Sequence, residues 1–440
     1  MTKKNQVTTK ALSGFMELLP EEQIAFNDML DVIRQTYETF GFSPINTPIL
    51  ERAEVLLAKA GGETEKQIYR FTKGSSELAM RFDLTVPLSR YVVQHYGELT
   101  FPFRRYAIGK VFRGERSQAG RFREFYQCDI DVIGDEALDL RFDAEIPSVI
   151  YMIFKKLGFD AFTIRINNRK IFNGLFEGLE ITNLSTDIMR SIDKLEKIGR
   201  DAVVDELIEL GVAKATVDRI FEFLSLKGDT TCVLKGLSNL NIESIQFDEG
   251  IEELQKVTEM MKQFGVPESN FVIDLTIARG LDYYTGTVYE TQLDEYPEFG
   301  SVCSGGRYDN LASAYTDRKL PGVGISIGLT RLFDQLRKKG LLETKSSTKT
   351  KVLIIPMIDD IDSSIAIATV LRNENIATEI SFSNGKLKQK LRYANKKSIP
   401  FVIFIGEDEI EKGVYTLKDF VSGTQEILDE KQLLQKLGKV

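Results

Sequence analysis

Two strand-like runs, at 104–112 and 121–133, flank the polar loop RGERSQAG (113–120). Side chains alternate between faces along a strand, so two such runs around a glycine-containing loop read as a long β-hairpin. Parallel neighbours need a crossover of a dozen or more residues, so this hairpin rules out a plain βαβ repeat in the first part of the chain. It also concentrates charge, with Arg113, Arg116, Arg121 and Arg123 beside Glu115 and Glu124. Arginine forks onto phosphate oxygens and keeps its charge at any physiological pH, which suits a polyphosphate ligand. A hairpin of exposed cross-strand ion pairs, each worth little, gives the same pattern without a ligand.

The surroundings extend the α+β reading. Phe26, Leu30, Ile33, Tyr37 and Phe40 recur at helical spacing over 21–40, and Gly41 ends the helix. GFSPINTPILE (41–51) reads as extended, interrupted by Pro44 and Pro48, and further strand-like runs occupy 66–72 and 77–83. From about 168 to 265 the pattern is helical, either an insertion or an independent domain. ETKSSTKTK (343–351) is polar and reads as a linker. Beyond it KVLIIPM, ATEISF and PFVIFIG are short apolar strands between helical stretches, an α/β pattern with parallel pairing. The expected architecture is a 1–342 α+β domain on an antiparallel sheet with a helical insertion, a 343–351 linker, and a 352–440 α/β domain.

At 440 residues the chain is long enough for two or three cores. A net charge of −8 argues against a wholly basic nucleic-acid binder but not against a local basic patch. NGKLKQKLRYANKK (384–397) is such a stretch, with six basic residues and no acid; a solvated helix face fits it as well as an RNA contact does. The three cysteines are scattered with no CxxC pair, and His95 is the single histidine, so no multi-histidine metal site is possible. No signal-like or membrane-spanning apolar run is read, and a cytoplasmic setting is expected.

The run DLTIARGLDYYTGTVYE (274–290) reads as strand on either side of Arg279-Gly-Leu-Asp-Tyr-Tyr284. A fixed positive charge, a glycine and two tyrosines on opposite faces suit an anion bound beside a polar ring. This string resembles the signature peptide of histidyl-tRNA synthetases. VFRGERSQAGRFREFYQ resembles motif 2 of class II aminoacyl-tRNA synthetases, GFSPINTPILE resembles motif 1, and PGVGISIGLTRLF (321–333) resembles motif 3. RFDLTVPLSRY (81–91), QCDID (127–131) and SGGRYDNL (304–311) extend the match over nearly the whole chain.

The resemblance implies the following expectations. Histidine is activated by ATP to histidyl-adenylate and passed to the terminal adenosine of histidine tRNA, with Mg2+ accompanying the nucleotide. Asp83, Thr85 and Gln127 hold the substrate ammonium; Asp131 and Tyr284 hold the two imidazole nitrogens; Gly305 and Gly306 let backbone approach the histidine. Tyr283 is grouped with the same site but should face the other side of its strand. Arg113 and Arg279 grip the α-phosphate and carry the catalysis. Arg121 and Arg331 grip the γ-phosphate, Phe125 stacks on adenine, and Glu115 reads its edge. Thr330 departs from the acidic residue usual before the motif 3 arginine. Many bacterial members carry glutamate where Asp83 and Asp131 stand, leaving a methylene of reach to be made up. Gln118 is a candidate for the tRNA acceptor end, and Lys386, Lys388, Lys390 and Arg392 for phosphates near the anticodon. Motif 1 implies a homodimer. The competing resemblance is to ATP phosphoribosyltransferase regulatory subunits, which share the core but lack the C-terminal domain and the full arginine set.

Overall fold

A computed structural model describes residues 7–58, 62–115, 120–278, 284–342, 347–359 and 361–438. The chain divides into two compact units: residues 1–16 with 29–339, and 17–28 with 340–440. The first part of the amino-terminal helix Pro20–Thr39 thus groups with the second unit, a partition that sequence separation hides.

In the first unit the strands begin with β1 (Ser43–Pro44), β2 (Leu50–Arg52), β3 (Arg70–Lys73) and β4 (Ser76–Met80). They continue with β5 (Phe103–Phe112), β6 (Glu124–Ile133), β7 (Phe162–Asn168) and β8 (Phe271–Ile273). β9 (Thr287–Leu293), β10 (Cys303–Tyr308) and β11 (Gly322–Ile327) follow. Eight of them form one sheet in the order β1-β5-β6-β11-β10-β9-β7-β8, antiparallel except at its two edges. The remaining three form a small sheet in the order β2-β4-β3. Here the 66–72 run is overridden: Gly62–Gln67 is helical and the strand starts only at Arg70.

The hairpin expected from sequence is β5 and β6, paired over ten residues with Arg105 opposite Asp131 and Gly109 opposite Gln127. Alternation along β6 sets Cys128, Ile130 and Val132 on one face, all wholly buried. That face belongs to the core, against which the helix Arg141–Lys156 packs Ile146, Val149, Ile150 and Ile153. Asp143 of this helix receives Arg307 from β10, which locates the helix on the non-polar side of the sheet. Phe125, Gln127, Asp129 and Asp131 lie on the other face of β6, and pairing extends it into polar rows. Asp131 stands between Arg105 and Gly324, and Asp129 between Ala107 and Ser326, with Ser304 beyond.

Six helices between Arg169 and Gln263 occupy the stretch read as helical. The run from Asp274 is not a strand on its first side, since β8 ends at Ile273. The Asp274 carboxylate accepts the Thr276 N–H at 2.9 Å and its hydroxyl at 2.6 Å, a local turn that outcompetes ladder pairing.

In the second unit, β12 (Val352–Pro356), β13 (Thr378–Ile380) and β14 (Phe401–Ile405) pair in parallel, as their short apolar patterns suggest. β15 (Tyr415–Asp419) and β16 (Gln425–Leu428) add an antiparallel hairpin that the sequence reading missed. Apart from Thr416 and Leu417 its residues are half exposed or exposed, so the apolar run that betrays a buried parallel strand is absent. Residues 347–351 have no regular structure.

Candidate active site

Two adjoining cavities open on the polar face around β6. The larger, about 440 Å³, is lined by Arg113, Glu115, Arg121, Phe125, Gln127 and Arg331 among others. The smaller, about 250 Å³, is lined by Asp83, Thr85, Gln127, Asp129, Asp131 and Tyr284, with Tyr308, Gly324 and Ser326. Arg113, Gln127 and Ser326 belong to both linings.

The larger cavity is an arginine pocket. Arg113 donates from Nε to the Phe82 carbonyl at 3.0 Å, and its guanidinium carbon lies 5.2 Å from the centre of the Phe125 ring. Arg121 pairs with Glu115 at 3.1 Å. Arg331, in the first turn of the helix Leu329–Lys338, donates to the Phe299 carbonyl at 2.6 Å. Thr330 now has a physical account: its buried hydroxyl accepts the Tyr126 N–H at 2.8 Å, tying this helix to β6.

The smaller cavity is carboxylate-lined and more enclosed. Asp83 accepts the Val86 N–H at 3.1 Å in the first turn of the helix Thr85–Gln94, and burial raises its pKa. Asp131 accepts the Tyr308 hydroxyl at 2.6 Å and is ion-paired with the fully buried Arg105. Burial lifts Asp131 to about 6 and Asp129 to about 7, against the pull of Arg105 on both. Gln127 donates to the Ser326 hydroxyl at 2.8 Å. Across from these carboxylates, a Cβ on Gly306 would come within 3.0 Å of the Tyr284 ring.

The structure therefore brings together Asp83, Thr85, Gln127, Asp131 and Tyr284 in one cavity and Arg113, Glu115, Arg121, Phe125 and Arg331 in the other. It adds detail around three groups of these residues. A Cβ on Gly305 would strike β11, one on Gly306 would strike β9 and the Tyr284 ring, and Gly324 lines the smaller cavity. Asp131 receives the Tyr308 hydroxyl on Oδ1, and its Oδ2 is ion-paired with Arg105 but accepts no hydrogen bond. Lys386 precedes the helix Leu387–Lys396 of the second unit and Lys388, Lys390 and Arg392 lie on it, Lys388 and Arg392 on one side, four residues apart. Lys386, Lys388 and Arg392 are exposed, while Lys390 reaches the Pro356 carbonyl at 3.4 Å. Arg279, Tyr283 and Gln118 lie outside the described residues. Asp129, Ser326, Tyr308 and Arg105 escaped the sequence reading. Asp129 was within reach, since it sits midway between Gln127 and Asp131 in the period-two register of β6.

An antiparallel sheet carrying an arginine pocket and a carboxylate pocket on one face, joined at a motif 2 strand, is the core of a class II aminoacyl-tRNA synthetase. A family model described as histidyl-tRNA synthetase matches residues 14–332, and one described as anticodon binding domain matches 351–439. The chain is 56% identical over 434 residues to a histidine--tRNA ligase of Clostridium tetani, covering 98% of this chain and 99% of that one. It is 48% identical over 439 residues to the histidine--tRNA ligase of Xanthomonas campestris pv. campestris, covering 94% and 92%. The solved histidyl-tRNA synthetase of Nostoc sp. PCC 7120 superposes with a TM-score of 0.91 at 40% identity, over 99% of this chain and all of that one. The chain belongs to the histidyl-tRNA synthetase family.

Proposed function

We propose that the chain joins histidine to ATP, releasing pyrophosphate, and transfers the histidyl group from the adenylate to the 3′-terminal adenosine of histidine tRNA. The observation that carries this is Arg113, which lines both cavities. An amino acid seated in the carboxylate cavity with its ammonium at Asp83, Thr85 and Gln127 would present its own carboxylate toward Arg113, where a nucleotide α-phosphate enters from the other side. No protein nucleophile is required; the substrate carboxylate attacks phosphorus. Arg113, with Arg279 on the strength of the family resemblance, would stabilise the charge that builds there, and preorganised donors of this kind are worth about 3–4 kcal/mol each.

Arg121 and Arg331 would hold the γ-phosphate, Phe125 the adenine, and Glu115 its edge. The residues fit Mg2+ arriving with ATP: Glu115 is a carboxylate of the larger cavity, and it is engaged by Arg121. The ion's ligands would then be phosphate oxygens, and it would offset the charge of the leaving pyrophosphate. The second unit, with Lys386, Lys388 and Arg392, would contact the anticodon arm, and Gln118 the acceptor end. Domain limits near 342 and 352, a homodimer through the motif 1 segment, and a cytoplasmic setting complete the reading. Histidine-dependent ATP–pyrophosphate exchange by the purified chain tests it; no exchange at saturating histidine with magnesium present would refute it.

A further inference from the structure

Of the hairpin arginines, Arg113 and Arg121 line the larger cavity, whereas Arg123 is half-buried and lines neither cavity. Its role follows from where the ladder of β5 and β6 ends. The last pair is Phe112 with Glu124, and the next in register is Arg113 with Arg123. The Arg113 N–H donates to the Arg123 carbonyl at 3.0 Å. The Arg123 N–H, which a continued antiparallel ladder would return to Arg113, donates instead to the Gly14 carbonyl at 2.8 Å. The Glu124 N–H joins it there at 3.3 Å. The Arg123 side chain repeats the pattern: Nε donates to the Glu115 carbonyl at 3.1 Å and Nη1 to the Ser13 carbonyl at 3.4 Å.

Arg123 therefore cross-links two stretches of main chain. One is Ser13–Gly14, ahead of the helix Pro20–Thr39; the other is 113–115, whose Arg113 and Glu115 side chains line the larger cavity. A planar guanidinium suits the task, since its fork of N–H groups reaches two fixed carbonyls at once and a single ammonium does not hold that geometry. Gly14 is fitted to the same contact. Its φ is +85°, and a Cβ there would come 2.9 Å from Arg123 Cγ and 3.1 Å from its backbone nitrogen. On the opposite side the Gln67 carbonyl accepts the Gly114 N–H at 2.7 Å, so the stretch past the ladder is held from outside the hairpin. Donors aimed at a reacting phosphate accelerate chemistry only while they are held in place, and a shift of about 1 Å removes much of the gain. We infer that Ser13 and Gly14 are a working part of the nucleotide site: they brace the hairpin through Arg123, a positioning residue that sets Arg113 and Glu115 without touching the nucleotide. The brace serves ATP only if the larger cavity takes the nucleotide, as proposed above.

The test uses Gly14→Ala and Arg123→Lys in the full chain, with Gly158→Ala as the reference. Gly158 has nearly the same φ, +86°, and nothing within 4 Å of a Cβ, so it carries the backbone strain without the collision. Measured are kcat and the KM for ATP and for histidine in pyrophosphate exchange, and the Kd for ATP by equilibrium dialysis without histidine. In both variants kcat/KM for ATP should fall on the order of 10- to 100-fold and the ATP Kd should rise, while the histidine KM stays within about twofold. Gly158→Ala should leave every constant within about twofold of wild type. In the double variant the two losses should not multiply, because both remove the same brace. Arg123→Lys at the wild-type rate would show that charge alone suffices, and losses that multiply would show that Gly14 and Arg123 act apart; either overturns the brace. A histidine KM that rises as far as the KM for ATP overturns it too, as does a Gly158→Ala loss equal to that of Gly14→Ala. Wild-type protein without histidine-dependent exchange refutes the functional reading, and the ATP Kd of the variants then judges the brace. Should Gly14→Ala not fold, Arg123→Lys is set against Arg123→Ala: equal losses sustain the brace, and recovery by lysine overturns it.

Discussion

The two cavities that meet at Arg113 and Gln127 recognise charge by opposite means. The larger presents Arg113, Arg121 and Arg331, half exposed or exposed. The smaller relies on Asp83, Asp129 and Asp131, and its walls are dry enough to push the last two toward neutrality. Phosphates are multiply charged and need only fixed cations, so an open pocket suffices. Selecting one polar ring requires acceptors that are penalised when unfilled, and only burial supplies that penalty. Openness thus accompanies strength in one half of the site, and burial accompanies selectivity in the other.

The largest expected effect falls on Arg113, which lines both cavities. Arg113→Ala should lower the rate of pyrophosphate exchange by about 3–4 kcal/mol in barrier, a few hundredfold, with a much smaller change in histidine KM. A change confined to histidine KM would place Arg113 with the amino acid alone. Next, Thr330→Val strips the buried Tyr126 N–H of its acceptor and should cost about 1–3 kcal/mol in denaturant unfolding. It should raise the KM for ATP through Arg331 and leave histidine KM unmoved; equal effects on both would break the division between the cavities.

The carboxylate side has its own signature in pH. Asp129 and Asp131 have folded values of about 7 and about 6, above the ordinary 3.8, so the folded chain holds protons that the unfolded chain has released. Their contribution to stability is complete below the unfolded value and is lost as pH rises through about 6 to 7. Urea melts at acid and at neutral pH should therefore differ less in Asp129→Asn than in wild type, by on the order of 1–3 kcal/mol. An unchanged pH slope would mean that the pair is solvated in the free protein. The smallest effect belongs to the second unit: Lys388→Gln should weaken tRNA binding by under about tenfold and reduce its salt slope by about one, with pyrophosphate exchange intact. An altered exchange rate would tie this helix to the chemistry.

The hairpin of β5 and β6 was legible because a period-two pattern over two long runs has few other interpretations. The parallel strands of the second unit were legible for a similar reason, as short apolar runs that need cover on both faces. The run after Asp274 misled because alternation survives in a segment whose backbone is claimed by an aspartate side chain. Thr330 looked like a defect in the motif 3 pattern; its value lies in an N–H more than two hundred residues away. The glycines of SGGRYDNL leave room for the neighbouring backbone and for Tyr284, a contact that the motif alone does not reveal.

Residue chemistry and local period determined that this chain builds an antiparallel sheet with fixed positive charge at one hairpin and carboxylates along its strand. Those are properties of side-chain type and spacing, present before any long-range contact forms. Which partners each carboxylate meets was decided only by the fold. Arg105 and Tyr308, from two other strands, reach Asp131, and Ser326, from a third, reaches Asp129. Burial and hydrogen-bond satisfaction depend on neighbours across the sheet, and a single strand read alone contains none of them.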